Sequence, residues 1–235
     1  MERLDKVIGN MGYASRREIK ELIRQGRVLV DGRPAASPEQ KIDPSTARIS
    51  IDGTDLKYEL FTYIMLHKPA GLLSATEDFR EKTVLDLLPP ELRKREPAPV
   101  GRLDKDTEGL LLLTDDGELN HRLTSPKYHV DKVYYAEVDG TLEQSDVRRF
   151  ATGIELSEFT CLPAKLEILT EHTCLVTVQE GKFHQVKRML ASRGAPVTYL
   201  KRLSMGPLRL DDALLPGQWR ELTPEEERSL HDCWG

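Results

Sequence analysis

Leu4, Val7, Ile8 and Met11 recur at the spacing of an amphipathic helix, and Gly12 closes the pattern as a helix C-terminal glycine does. Ser15-Arg16-Arg17-Glu18 has the layout of a capping box, in which serine hydroxyl and glutamate carboxylate each satisfy a backbone N–H that the first turn leaves unpaired. A second helix is predicted to start there. Ile19, Leu22 and Ile23 form its apolar face, Arg16, Arg17, Lys20 and Arg24 fall elsewhere on its surface, and Gly26 stops it. Arg27 to Val30 then reads as a short strand, Asp31-Gly32 as a tight turn, and Ile49 to Ile51 with Asp52-Gly53 as a second strand and turn. Two helices and small hairpins make a helix-rich module over residues 1–60, the size of the smaller domains.

The pattern weakens between Asp55 and Leu60, then turns strand-like at Phe61-Thr62-Tyr63-Ile64-Met65-Leu66, which places a domain boundary between residues 60 and 61. Over 61–235, β-rich runs (Leu110 to Leu113, Val133 to Val138, Ala164 to Leu169, Cys174 to Val178) mix with helical stretches near Leu142 to Thr152 and Phe183 to Arg193. Without regular βαβ alternation, this order predicts an α+β domain on a largely antiparallel, mixed sheet. The proline-rich segment from Pro89-Pro90 to Pro97-Ala98-Pro99 reads as an ordered surface loop.

Composition adds restraint rather than direction. The 34 Lys and Arg against 39 Asp and Glu give a formal net charge of -5, so bulk electrostatics announces no nucleic-acid partner, and any such partner must be held by local basic patches. Cys161, Cys174 and Cys233 have no metal-ligand spacing and read as reduced thiols. The start of the chain lacks an apolar signal core and no run has the length of a membrane span, so the expected setting is the cytoplasm.

The densest stretch is Val100-Gly101-Arg102-Leu103-Asp104-Lys105-Asp106-Thr107-Glu108-Gly109, which runs into Leu110-Leu111-Leu112-Leu113-Thr114. A charged loop anchored to a rigid apolar strand can hold a reactive carboxylate in place. Two other readings compete. Asp104, Asp106, Glu108, Gly109 and Asp115 imitate a calcium loop, but prolines precede it and a leucine-rich strand fills its second half, where an EF-hand needs helices. A solvated acidic turn is the reading that composition alone favours.

Gly101-Arg102-Leu103-Asp104-x-Asp106-Thr107-x-Gly109-Leu110-Leu111 resembles the signature of the RsuA-type pseudouridine synthases. Five more segments resemble motifs of that family in the same order: His67-Lys68-Pro69-x-Gly71, Lys132-Val133-Tyr134, Glu180 to Met189, Leu200-Lys201-Arg202 through Gly206, and Gly217 to Thr223. The N-terminal module resembles the alpha-L RNA-binding domain fused to this family.

The resemblance implies isomerisation of a uridine to pseudouridine in ribosomal RNA, without cofactor or metal. Asp104 takes the place of the catalytic aspartate, Tyr134 that of the active-site tyrosine on which the base stacks, and Lys187 that of a basic partner that is arginine in many relatives. Such a partner would keep an enclosed carboxylate ionised. Leu200 would cover the other face of the uracil and Arg102 would contact RNA. Lys182, Arg188 and Arg202 would offset the cost of unstacking the base, on the order of a few kcal/mol. Arg16, Arg17, Lys20 and Arg24 become the expected phosphate contacts of the small domain.

His67 and His184, with no partner cluster in the sequence, read as structural. The expected partner is ribosomal RNA or a partly assembled ribosomal subunit, met by a monomer. Segment His184-Gln185-Val186-Lys187-Arg188-Met189 leans towards the small-subunit 16S enzyme over its large-subunit relatives. A binding protein on an inactive synthase fold and a hydrolase using Asp104 with Asp106 are the rival functions.

Overall fold

The structure, a computed structural model, describes residues 1–44, 46–56 and 61–232. Cys233 and positions 57–60, where the domain boundary was expected, lie outside the described residues. The chain divides into two compact units, Met1–Thr62 with Leu88–Glu96, and Tyr63–Leu87 with Pro97–Gly235.

In the first unit the helices Leu4–Asn10 and Arg16–Arg24 form where the apolar spacing predicts, and Ser15 with Glu18 makes both bonds of the capping box. Strands Val28–Val30 and Ile49–Ile51 pair antiparallel. Asp31-Gly32 and Asp52-Gly53 all have positive φ, the mirror-image turn that matches strand twist. Leu4, Val7, Ile8, Ile19, Ile23, Val28, Val30, Ile49 and Ile51 close into one core.

The proline-rich segment departs from the expected loop. Pro90–Arg93 is a short helix, entered by Pro89 in extended conformation and Pro90 at a position that needs no N–H, and Ala98–Pro99 pairs with Thr114 and Leu113. Leu88–Glu96 belongs to the first unit, where the Glu91 carbonyl oxygen approaches Gly12 so closely that a Cβ there would sit 3.1 Å away.

The second unit is built on a mixed sheet. Its main path runs Lys165–Thr170, Thr173–Val178, Lys132–Val138, Val197–Met205, Glu108–Thr114, Tyr63–Lys68, Trp219–Glu221. Every neighbouring pair on this path is antiparallel except Val197–Met205 with Glu108–Thr114, which run parallel through Lys201–Glu108 and Arg202–Gly109. Tyr63–Lys68 and the run from Gly109 to Thr114 are buried without alternation, the pattern of strands covered on both faces.

Several elements escaped the sequence reading, among them two helices and a long strand of the second unit. Helix Gly117–Thr124 follows Asp115-Asp116-Gly117, which looks like a turn but has Asp116 as an N-cap accepting from the Leu119 N–H. Strand Val197–Met205 carries Lys201 and Arg202 in its middle, and helix Pro224–Asp232 opens with three glutamates. Among the described residues, no helix is long and apolar enough to cross a membrane, and Cys161 and Cys174 are buried free thiols.

Candidate active site

The acidic loop is held from below. Lys68 ends a fully buried strand and is itself entirely buried; its Nζ donates to the carbonyl oxygens of Pro69, Asp104, Lys105 and Thr107 at 3.0, 3.1, 3.3 and 2.9 Å. Burial pulls its pKa down to about 8, against the pull of Asp106 and Asp104. Ser74 adds two bonds, its hydroxyl donating to the Leu103 carbonyl at 2.8 Å and accepting from the Leu103 N–H at 3.1 Å. Gly71 N–H donates to the Lys105 carbonyl at 2.7 Å. Residues 68–74 thus fix the backbone of residues 103–107. A lysine closing an apolar strand just before Pro69 was the sequence signal for this support, and its role went unread.

So supported, Asp104 turns its carboxylate into a cavity lined by Arg102, Leu103, Thr107, Tyr134, Val178, Lys187 and Leu200, together with residues 180–182 and 184–186. Lys187 Nζ donates to Asp104 Oδ2 at 2.9 Å and to Asp106 Oδ1 at 2.6 Å. Burial alone would lower the Lys187 pKa, but the hydrogen bonds it donates to Asp106 and Asp104 outweigh it and the net shift is upward. Asp106 is held below the usual carboxylate range by the same bond. Tyr134 and Leu200, on neighbouring strands, are nearly buried and form the apolar wall. Asp104, Tyr134 and Lys187, far apart in the chain, meet in one cavity.

His184 was expected to be structural and partnerless, and the structure corrects this. Its Nε2 lies 3.5 Å from Asp104 Oδ1, and its ring stacks on Phe183. The loop carrying it is ordered by Glu180, a buried carboxylate. One Glu180 oxygen accepts from the Leu162 N–H and from Gln185 Nε2, both at 2.8 Å, and the other pairs with Lys182 at 3.1 Å. Helix Gln185–Ala191 begins from this knot and presents Lys187 to Asp104. His67 is buried in a strand, with Nδ1 2.6 Å from the Leu214 carbonyl oxygen.

Other expected contacts sort differently. Arg102 is exposed and lines the cavity, as does Lys182. Arg202, expected to meet RNA, is 1% exposed and lies outside the cavity lining; its Nε donates to the Leu110 carbonyl at 2.8 Å, tying together the two parallel strands. Strand alternation puts it on the buried face with Leu200, and its side chain runs to the neighbouring strand instead of the cavity, which a local basic motif does not reveal. Arg188 is also outside the lining, paired with Glu158 and set over the Phe159 ring. In the small domain, Arg16 and Lys20 line one surface hollow with Arg3, Asp5 and Lys6, Arg17 is exposed, and Arg24 is paired with Glu21.

A carboxylate anchored at a strand mouth, a cation bonded to it and an aromatic wall beside it thus meet in one cavity, in a chain that also carries a small N-terminal module with arginines and lysines on its second helix. The chain belongs to the RNA pseudouridylate synthase family, whose model matches residues 62–192, and an S4 domain matches residues 2–47. It is 48% identical to an uncharacterized RNA pseudouridine synthase of Bacillus subtilis, over 98% of each chain. It is 40% identical to ribosomal small subunit pseudouridine synthase A of Vibrio cholerae, over 97% of this chain and 99% of that one. Ribosomal large subunit pseudouridine synthase B of Bacillus subtilis is 39% identical, over 98% of this chain and 96% of that one. The chain is accordingly an RNA-modifying isomerase.

Proposed function

We propose that this enzyme converts one uridine of small-subunit 16S ribosomal RNA to pseudouridine, acting as a monomer in the cytoplasm on the RNA or a partly assembled subunit. The observation that carries the reading is Asp104, bonded to Lys187 in a cavity walled by Tyr134 and Leu200. In this reaction the bond from uracil N1 to the ribose breaks, the base turns, C5 joins the ribose in its place, and the proton lost from C5 is balanced by the one that N1 gains. Asp104 is the carboxylate that acts on the flipped nucleotide. Tyr134 offers its ring to the uracil face and Leu200 packs on the other. Lys187 holds the carboxylate in position, and Arg102 meets the RNA at the mouth.

The small-subunit target is supported by the segment His184 to Met189 and by the similarity to the Vibrio enzyme. A large-subunit target is the second reading, favoured by the nearly equal similarity to the Bacillus enzyme. Mapping pseudouridines across both ribosomal RNAs, with and without the gene, separates them. One site should disappear from 16S RNA on deletion; loss of a large-subunit site instead would select the second reading, and an unchanged map would remove both.

The small domain is assigned the phosphate grip, through Arg16, Arg17 and Lys20, with Arg24 after release from Glu21. Neutralised phosphates release counterions, so affinity falls with salt at a slope of about 0.7 per contact on single strands. Arg16→Ala with Arg17→Ala should lower that slope by roughly 1.4 in a salt titration of RNA affinity. An unaltered slope would remove these two residues from the interface.

A further inference from the structure

We propose that Phe183, backed by the His184 imidazole, is a stacking shelf for an unpaired nucleobase next to the target uridine in the RNA. The proposal rests on the enzymatic reading above and names a second subsite for the same substrate.

Phe183 is 74% exposed, among the largest apolar side chains the described surface leaves in water. Its ring lies against that of His184, with centroids 3.8 Å apart and planes 18° from parallel. His184 lines the cavity and reaches Asp104; Phe183, itself outside the lining, stands in the chain between Lys182 and His184, which both line it, and the imidazole covers one face of the phenyl group. The exposure leaves the remainder of the ring open.

The mount is stiff. Lys182 N–H donates to Gln185 Oε1 at 3.0 Å, Gln185 is bonded to Glu180, and Lys182 Nζ donates to the Thr160 carbonyl at 2.9 Å. His184 has φ of 49°, a left-handed conformation that non-glycine residues adopt at a cost and that this knot maintains. An aromatic ring presented rigidly loses little conformational freedom when something flat settles on it.

The occupant follows from the reaction. Extruding the uridine leaves its chain neighbours without one stacking face, and an open ring at the mouth replaces that face. Nearby cations do not compete for this role: Lys182 is paired with Glu180 and Arg188 with Glu158, so Phe183 contributes ring surface where those side chains are already partnered. Stacking accepts any base, which suits a contact beside the target rather than on it.

The test is a double-mutant cycle. Wild type and Phe183→Ala are assayed on a ribosomal RNA fragment carrying the mapped uridine, and on versions abasic at its 5′ or 3′ neighbour. Phe183→Ala should raise KM about ten-fold on the intact fragment with kcat within about two-fold. One abasic position should cost wild type a similar factor, the two losses should not add, and Phe183→Trp should restore affinity. Unchanged KM, or an equal loss on all three RNAs, would overturn the shelf. A wild-type enzyme that modifies neither the fragments nor a partly assembled small subunit would instead strike the enzymatic reading. The shelf is then read from a short oligouridylate and its abasic counterpart, of which Phe183→Ala must weaken only the first.

Discussion

Asp104→Asn should lower kcat/KM for pseudouridine formation by on the order of ten-thousand-fold or more while leaving the fold intact. Asparagine keeps the shape of the side chain and an oxygen that can still accept from Lys187, so the cavity survives and only the carboxylate's charge and nucleophilicity are lost. The loop's position does not depend on the substituted group, because Lys68, Ser74 and Gly71 all bond the backbone of residues 103–107. Purified variant and wild type should therefore melt within a few degrees of each other. The measurement is pseudouridine formed per enzyme on the fragment, and in cells the failure of the variant to restore the site lost on deletion. Asp106→Asn is the control: Asp106 is 76% exposed, lies outside the cavity lining and bonds Lys187, so its loss should cost about ten-fold at most. Near-normal turnover by Asp104→Asn would end the assignment.

Gly109→Ala should destabilise the second unit by about 4 kcal/mol. The residue stands where the loop enters the strand and pairs in parallel with Arg202. A methyl group there would lie 2.2 Å from the Arg202 carbonyl oxygen and 2.6 Å from its nitrogen, backbone atoms that cannot rotate aside. The φ of +106° adds strain for any residue with a Cβ. Overpacking and a disfavoured backbone each cost roughly 1–3 kcal/mol, and here they act together. Denaturant unfolding monitors the change. Gly117→Ala, where the added methyl meets nothing within 4 Å, should be neutral or slightly stabilising in the same assay. If both substitutions proved equally mild, the close strand approach at Gly109 would not be what holds this junction.

Local rules carried much of the architecture. The capping box at Ser15, the Asp-Gly turns and the leucine run at Leu110 each depend on neighbours within a few residues, so each appears in the structure where the pattern puts it. Elements that failed this test depend on distant partners. Val197–Met205 is a strand because Lys132–Val138 and Glu108–Thr114 flank it, despite the charges in its middle. The helix at Pro90 sits in the first unit although its neighbours in sequence belong to the second, an arrangement no local pattern expresses.

The candidate site divides along the same line. Asp104, Tyr134 and Lys187 were legible through motif resemblance, and the loop-on-strand layout supplied a physical reason for the first of them. The sequence by itself determined the residue types: an acid after Arg-Leu, a tyrosine in a strand, a lysine one turn into a helix. Only the tertiary structure decided which polar groups face the cavity. It turned Arg202 inward to the Leu110 carbonyl, brought His184 to Asp104, and set Lys68 beneath the loop as its anchor. The reason is that a side chain's chemistry is carried by its own atoms, whereas its direction and partners come from sheet pairing between strands that are remote in the chain.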